Sequence, residues 1–233
     1  MEINKIINTI ETFAPLELQS SWDCSGWAID TGPSEVKKIL LALTVDEGII
    51  NQAVEKKCEL IISHHPLFYI PFSFQKGIQI YSAHTNLDVV IGGTTDSLIS
   101  LLNLPAPVAV GEFLRVVELE KEILLEDFIQ LLKTKLHIEH LKVVNKHNLK
   151  KVKKIAFCAG SGADFLSEAQ QIKTDVFVTG DIKYHTAFDS GIILIDVGHF
   201  ESERPVLNTL RELLSPLDVE VIIADEKSPF TFC

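Results

Sequence analysis

What this chain lacks narrows its identity first. Its four cysteines, Cys24, Cys58, Cys158 and Cys233, stand far apart and form no C-x-x-C pair, so neither a zinc knuckle nor a dithiol redox motif is suggested and buried or inert thiols suffice. No stretch approaches the ~18 uninterrupted apolar residues of a membrane span. The opening segment MEINKIINTIETFAPLELQ is amphipathic and acidic rather than basic and then apolar, and a soluble cytoplasmic protein is the expectation. There is no G-x-x-x-x-G-K-[ST] loop, no G-x-G-x-x-G and no G-x-S-x-G, which counts against nucleotide-triphosphatase, dehydrogenase and serine-hydrolase readings. Positive charge is short as well, with 21 Lys and Arg against 32 Asp and Glu for a formal net charge of -11. That balance disfavours non-specific attraction to nucleic acid or anionic membrane. One local exception runs from Lys133 through Lys135, Lys142, Lys146, Lys150, Lys151 and Lys153 to Lys154. A solvated surface is the simpler reading of it, and attraction of a phosphate-bearing ligand the alternative.

What remains is a globular composition, 46% hydrophobic and 23% charged over 233 residues, enough for one sizeable core or two small ones. Residues 2–13 carry Ile3, Ile6, Ile7, Ile10 and Phe13 at helical spacing ahead of Pro15, which predicts an amphipathic helix. KKILLALTV (37–45) reads as a buried strand, DEGIINQAVEKK (46–57) as a helix and CELIIS (58–63) as a second strand. Near-continuous apolar runs in such a βαβ unit suit a parallel pair covered on both faces, with ligands gathering at the carboxyl ends of its strands.

The chain then repeats itself. Residues 37–65 align without a gap on residues 153–181, so that Lys37 and Lys38 meet Lys153 and Lys154, Ile39 meets Ile155, Glu59 meets Asp175, and Leu60 to Ile62 meet Val176 to Val178. Further on, with the offset one shorter, IYSAHTNLD (80–88) falls on IDVGHFESE (195–203), pairing His84 with His199 and Asp88 with Glu203. Ordinary βαβ units resemble one another through shared periodicity, which is the bland account of this match. Taken as a true repeat, it predicts an α/β protein of two pseudo-symmetric halves with mixed sheets facing a shared metal-binding cleft. The first half spans 1–107 with the HH and HTNLD motifs, and the second spans 108–233 with GDIKYH and GHFESE. Strands near 112–120 and 141–144 and a helix near 126–137 fill the join.

In LIISHHPLFY (60–69) two adjacent imidazoles, His64 and His65, follow an apolar run and precede Pro66. Successive strand side chains point to opposite faces, and proline restricts the residue before it, so the strand must end there and leave both rings on its rim. In DVGHFESER (196–204), a helix beginning near Gly198 places His199 and Glu203 on one face, close enough to share an ion. In AHTNLD the spacing is the same, but Asn86 suggests a turn rather than a helix, so His84 and Asp88 need not converge that way. One ion needs three or four ligands, and His64, His65, His84, Asp88, His199 and Glu203 exceed that number. Two divalent ions are therefore expected, with a bridging water that loses its proton near neutral pH. Imidazole and carboxylate donors suit Zn, Fe, Mn, Co or Ni without choosing among them. A lone histidine is usually a hydrogen-bonded structural residue, and His137, His140 and His147 are assigned so. TGDIKYH (179–185) offers Asp181 to orient a ligand histidine, Lys183 to hold a phosphate or carboxylate and His185 to move a proton; a loop cap is the plainer reading. GSGAD (160–164) is a glycine-rich strand-to-helix turn and a weak candidate for an anion.

Five segments in this order, SWDCSGW (21–27), LIISHHPLF (60–68), YSAHTNLD (81–88), FVTGDIKYH (177–185) and DVGHFESE (196–203), resemble the Nif-three-like dinuclear-metal proteins, also called GTP cyclohydrolase I type 2 homologs. The resemblance covers the whole chain. It implies a two-part α/β protein with a dinuclear site between the halves, assembled as a ring-shaped homohexamer. Its ligands would be His64, His65, Asp88, His199 and Glu203, with His84, Asp181, Lys183 and His185 lining the cleft. Cys24 stands where the family usually has asparagine in W-D-N-x-G, and the inserted domain of longer members is absent. Three functions stay open: a metal-dependent hydrolase acting on a small, nucleotide-like substrate, a non-enzymatic metal carrier or assembly protein, and, least expected, a nucleic-acid-associated ring.

Overall fold

Apolar patterning translates directly into elements in the computed structural model, which describes residues 1–231. The strands in chain order are β1 (Gly26–Ile29), β2 (Lys38–Ala42), β3 (Leu60–Ser63), β4 (Gln79–Ser82), β5 (Val108–Val110), β6 (Leu114–Leu124), β7 (Lys142–Val144), β8 (Lys151–Phe157), β9 (Val176–Thr179), β10 (Ile193–Asp196) and β11 (Glu220–Ile223). They form two mixed sheets, ordered β1-β4-β3-β2-β11 and β5-β6-β8-β9-β10-β7. The α/β class with two mixed sheets is therefore as the sequence indicates.

The chain divides into two units, Met1–Gly93 with Val206–Lys227, and Thr94–Pro205 with the described residues from Ser228 onward. A single cut at 107 does not describe this division. β11 leaves the second half of the sequence to pair in parallel with β2, Val221 opposite Ile39 and Ile223 opposite Leu41. The helix Val206–Leu214 buries Val206, Leu207, Leu210 and Leu214 within the same unit, packing against the helix Ile3–Phe13 and β2. A repeat search cannot see this return, because the returning segment has no counterpart in the matched blocks.

In the first unit, the helix Ile3–Phe13 buries Ile3, Ile6, Ile7 and Ile10 as spaced. The helix Glu47–Lys56 starts where Asp46 accepts a hydrogen bond from Ile49 N at 2.8 Å and stops where Lys57 turns left-handed at φ 58°, a side-chain cap followed by a left-handed terminus. In the second unit the parallel strands alternate strictly. Ile155, Phe157, Val176, Val178, Ile193 and Ile195 enter one core, while Ala156, Cys158, Phe177 and Leu194 enter the other. Both faces of that sheet are covered, which is why its strands read as unbroken apolar runs.

The repeat holds at the level of register. Ile39 sits opposite Leu60 and Leu41 opposite Ile62 in one unit, and Ile155 sits opposite Val176 and Phe157 opposite Val178 in the other. Glu59 Oε2 accepts from Lys37 N and Lys38 N at 3.0 and 2.9 Å, and Asp175 Oδ2 accepts from Lys153 N and Lys154 N at 2.8 Å each. In each unit the same carboxylate holds the start of the first strand.

The lysine-rich segment is largely occupied by its own neighbours. Lys142 pairs with Asp196, Lys151 with Glu122 and Lys153 with Glu118, and Lys146 lies over the Phe188 ring at 4.7 Å. No helix among the described residues is long and apolar enough to cross a membrane. Of the cysteines, Cys24 is exposed and Cys58 and Cys158 are buried; Cys233 lies outside the described residues.

Candidate metal centre

Carboxyl ends of parallel strands deliver the chemistry in both units, as open α/β sheets do. In the first unit β3 stops at Ser63, so His64 and His65 lie just past its end. His64 is fully buried. Their ring centroids are 5.1 Å apart, and His84, just past β4, stands 5.2 Å from His64 and 5.6 Å from His65. Adjacent histidines thus share one site because the strand ends before them. One ligating atom from each of these three rings lies within 4.8 Å of the others.

The ring nitrogens are assigned by what they touch. His64 Nδ1 lies 2.9 Å from Ala83 O, and a carbonyl only accepts, so Nδ1 carries a proton, which in the neutral ring leaves the lone pair on Nε2. That Nε2 is 3.5 Å from Asp88 Oδ1. A lone pair and a carboxylate oxygen facing each other require a cation or a proton between them.

His84 Nδ1 meets Asp23 Oδ1 at 3.0 Å. Burial, then the neighbouring His64, lowers the His84 pKa below its ordinary value. Asp23 is itself clasped: its carboxylate accepts from Cys24 N, Ser25 Oγ, Thr85 N and Thr85 Oγ1. Burial pushes the Asp23 carboxyl up, but the hydrogen bonds from Thr85, His84 and Ser25 outweigh it and hold the pKa at about 2. The sequence singled out SWDCSGW as a motif without assigning Asp23 a partner. A carboxylate followed by small and hydroxyl residues was the available signal.

Asn86 does not break the chain into a turn. Residues Thr85–Val89 form a short helix with His84 as N-cap, because Asn86 Oδ1 accepts from His84 N at 2.9 Å and its Nδ2 donates to Ala14 O at 2.7 Å. The amide side chain caps the helix from inside it.

In the second unit a helix spans His199–Glu203 after Gly198, the placement that the i,i+4 spacing requires. His199 Nε2 lies 3.0 Å from Glu203 Oε2, and His199 Nδ1 lies 2.7 Å from Asp181 Oδ2. Burial opposes charge on His199, yet Glu203 and then Asp181 overcome it and raise its pKa to about 9. Asp181 reaches the ring from a left-handed backbone, φ 54°, a conformation that aspartate tolerates better than most residues.

The pairing of His84 with His199 does not survive in detail. Ala83 N bonds Ser63 O in one unit and Val197 N bonds Thr179 O in the other, which makes His84 the counterpart of Gly198. His84 therefore caps its helix, whereas His199 is the first residue inside one. Two residues separate strand from helix in both units, 83–84 and 197–198, so Thr85 is the structural counterpart of His199 and the letters H-x-x-x-[DE] match one position out of register.

Two amides of GSGAD are already occupied. Gly160 N donates to Ser202 Oγ and Gly162 N to Thr179 Oγ1, so those amides are spent. Its purpose is space: a Cβ on Gly160, at φ 70°, would stand 2.0 Å from Glu203 Oε1. Lys183 and His185 are exposed at the start of the helix Tyr184–Asp189 and make no hydrogen bond or ion pair with His199, Glu203 or Asp181. Beside His199 lies a cavity of 210 Å³ whose lining includes Ile138, Leu141, Val197, Phe230, Lys142 and Asp181.

A family model described as Duf34/NIF3 (NGG1p interacting factor 3) matches residues 1–229. The GTP cyclohydrolase 1 type 2 homolog of Clostridium perfringens is 36% identical over an alignment of 262 residues that covers 100% of both chains. Among solved structures, a hypothetical protein of Staphylococcus aureus superposes with a TM-score of 0.89 at 25% identity, covering 100% of this chain and 99% of its own. Reduced HcgD from Methanocaldococcus jannaschii superposes with a TM-score of 0.85 at 29% identity, covering 97% and 98%.

Proposed function

The chain belongs to the Duf34/NIF3 family, and on that premise we propose that it is a metal-dependent hydrolase acting on a nucleotide-like substrate. The observation that carries this reading is the pair of oriented imidazoles. His64 and His199 each donate Nδ1–H to a fixed acceptor, Ala83 O and the Asp181 carboxylate, and each turns Nε2 toward a carboxylate, Asp88 or Glu203. Histidine ligands of metals are commonly held in this way. The donor set of imidazole and carboxylate, with no thiolate, fits two divalent ions held by His64, His65, Asp88, His199 and Glu203. Such ions supply Lewis acidity and a water acidic near neutral pH.

The protein's own groups would then orient and move protons. Asp181 fixes the His199 tautomer, and Asp23 fixes His84 beside the His64 and His65 rings. His84 and His185 are the proposed proton carriers, and Lys183 the proposed anchor for a phosphate. The cavity beside His199 accommodates a ring rather than a whole nucleotide, since drug-sized ligands fill ~300–1,000 Å³. GTP, named for the relatives, is the first substrate to test. Substitution His65→Ala should remove bound metal and hydrolysis together, measured by elemental analysis and turnover across nucleotides; loss of metal with hydrolysis intact would refute the proposal.

One observation favours a second reading, a non-enzymatic metal carrier. Lys183 and His185 are exposed and unattached to the His199 group, so neither side chain is held where a substrate beside His199 would react. Rapid transfer of ions to an acceptor with no turnover on any nucleotide or phosphoester would select the carrier.

A further inference from the structure

We propose that Thr44 and Glu226 are positioning residues that hold His65 in the tautomer able to bind a metal; this rests on the reading of His65 as a ligand. After β2 ends at Ala42, the next two amides would have no strand partner on the β11 side, because β11 ends at Ile223. Glu226 fills that place. Its Oε2 accepts from Leu43 N at 2.8 Å and its Oε1 from Thr44 N at 3.0 Å, one carboxylate spanning two consecutive amides. The segment bearing Glu226 is pinned in turn: Ala224 N donates to Leu41 O at 2.8 Å, Gln52 Nε2 donates to Asp225 O at 2.9 Å, and Asp225 N donates to Gln52 Oε1 at 3.0 Å.

The backbone fixed in this way holds His65 twice. Leu43 O accepts from His65 N at 2.8 Å, and the Thr44 hydroxyl lies 2.7 Å from His65 Nδ1. A hydroxyl either donates or accepts. Accepting, it keeps the proton on Nδ1 and leaves Nε2 to coordinate; donating, it would put the proton on Nε2 and block coordination. The sense in which His64 and His199 are held, Nδ1–H outward to an acceptor, is the sense assigned here to Thr44. A carboxylate some 160 residues along the chain from His65 therefore reaches the ring through one backbone turn and one hydroxyl, a linkage no spacing motif reveals.

The test uses the full chain stripped of metal, with zinc(II) and cobalt(II) as probes in competition with a chromophoric chelator, and ¹⁵N NMR of the histidine rings. Thr44→Val should weaken ion binding by about 10–100-fold, the usual effect of losing a group that orients a ligand, and move His65 away from the Nδ1–H form. Thr44→Ser should restore both. Glu226→Gln, which keeps one acceptor and sets an NH₂ against the other amide, should shift both readouts in the direction of Thr44→Val, and it serves if that variant does not fold. If Thr44→Val binds as wild type while His65→Ala does not, the positioning role is wrong although His65 is a ligand. If His65→Ala itself binds as wild type, the ligand reading fails and this inference with it.

Discussion

Alanine at position 160 separates the His199–Glu203 contact from everything around it. The added Cβ would stand 2.0 Å from Glu203 Oε1, where real Cβ contacts begin near 3.0 Å, so the carboxylate must withdraw by roughly 1 Å. Two costs follow, and pH tells them apart. The first is strain: alanine at the φ of 70° found at Gly160 costs about 1–2 kcal/mol at any pH. The second is electrostatic. His199 rises from an ordinary 6.5 to about 9, with Glu203 the leading cause of the rise. At about 1.36 kcal/mol per pH unit the gap bounds the stabilisation at about 3 kcal/mol, and the 31% exposure of the ring trims it through solvent screening. Because the folded value is the higher one, this stability is whole below pH 6.5 and is lost as pH climbs through about 9. Metal-free wild type should therefore lose about 1–2 kcal/mol more than Gly160→Ala between about pH 6 and about pH 10. Urea unfolding at the two pH values measures it, and subtracting one protein from the other cancels every other titrating group. Parallel pH profiles, with only a constant offset, would show that Glu203 does not charge His199.

Other consequences are quickly stated. Asp181→Asn keeps a side chain that tolerates the left-handed backbone but removes the charge on His199 Nδ1, and zinc affinity should fall by about 10–100-fold, read by chelator competition. Asp23→Asn disturbs a carboxylate that accepts several hydrogen bonds, so the variant should lose about 1–3 kcal/mol in urea unfolding near neutral pH. The wild-type contribution of Asp23 is present above 3.8 and fades as pH falls toward about 2, so the gap between the two proteins should narrow there. Chelation should lower the melting temperature, and readdition of ion at about 100 times its Kd should restore about 2.7 kcal/mol; a melting curve indifferent to both would deny a site formed only in the folded chain.

Much of the site was legible because strand ends advertise themselves. Apolar runs that stop at Pro66 or Gly198 place the next polar residues on a rim, and His199 with Glu203 needed only helical spacing. The doubled βαβ unit was legible too, down to the carboxylates Glu59 and Asp175 that hold each first strand. Its limit was one residue: strand and helix are equally spaced in the two units, so the matched letters H-x-x-x-[DE] sit one position out of structural register, and His84 precedes its helix where His199 begins one. Long-range hydrogen bonds were not legible. Asp23 to His84, Glu226 to Thr44, and Asn86 to Ala14 each join segments whose proximity is a product of the fold. Gly160 was visible as a glycine, but its reason, the carboxylate of Glu203, lies 43 residues away.

The return of β11 to β2 orders events during synthesis. While a ribosome extends the chain through the second unit, Ile39 to Leu41 present a bare hydrogen-bonding margin, and only emergence of residues 220–223 closes it. Open margins of apolar strands recruit other chains. A recombinant piece ending at residue 107 would carry that liability permanently and should precipitate, whereas one joining residues 1–93 to 206–227 through a short linker would bring its own closure.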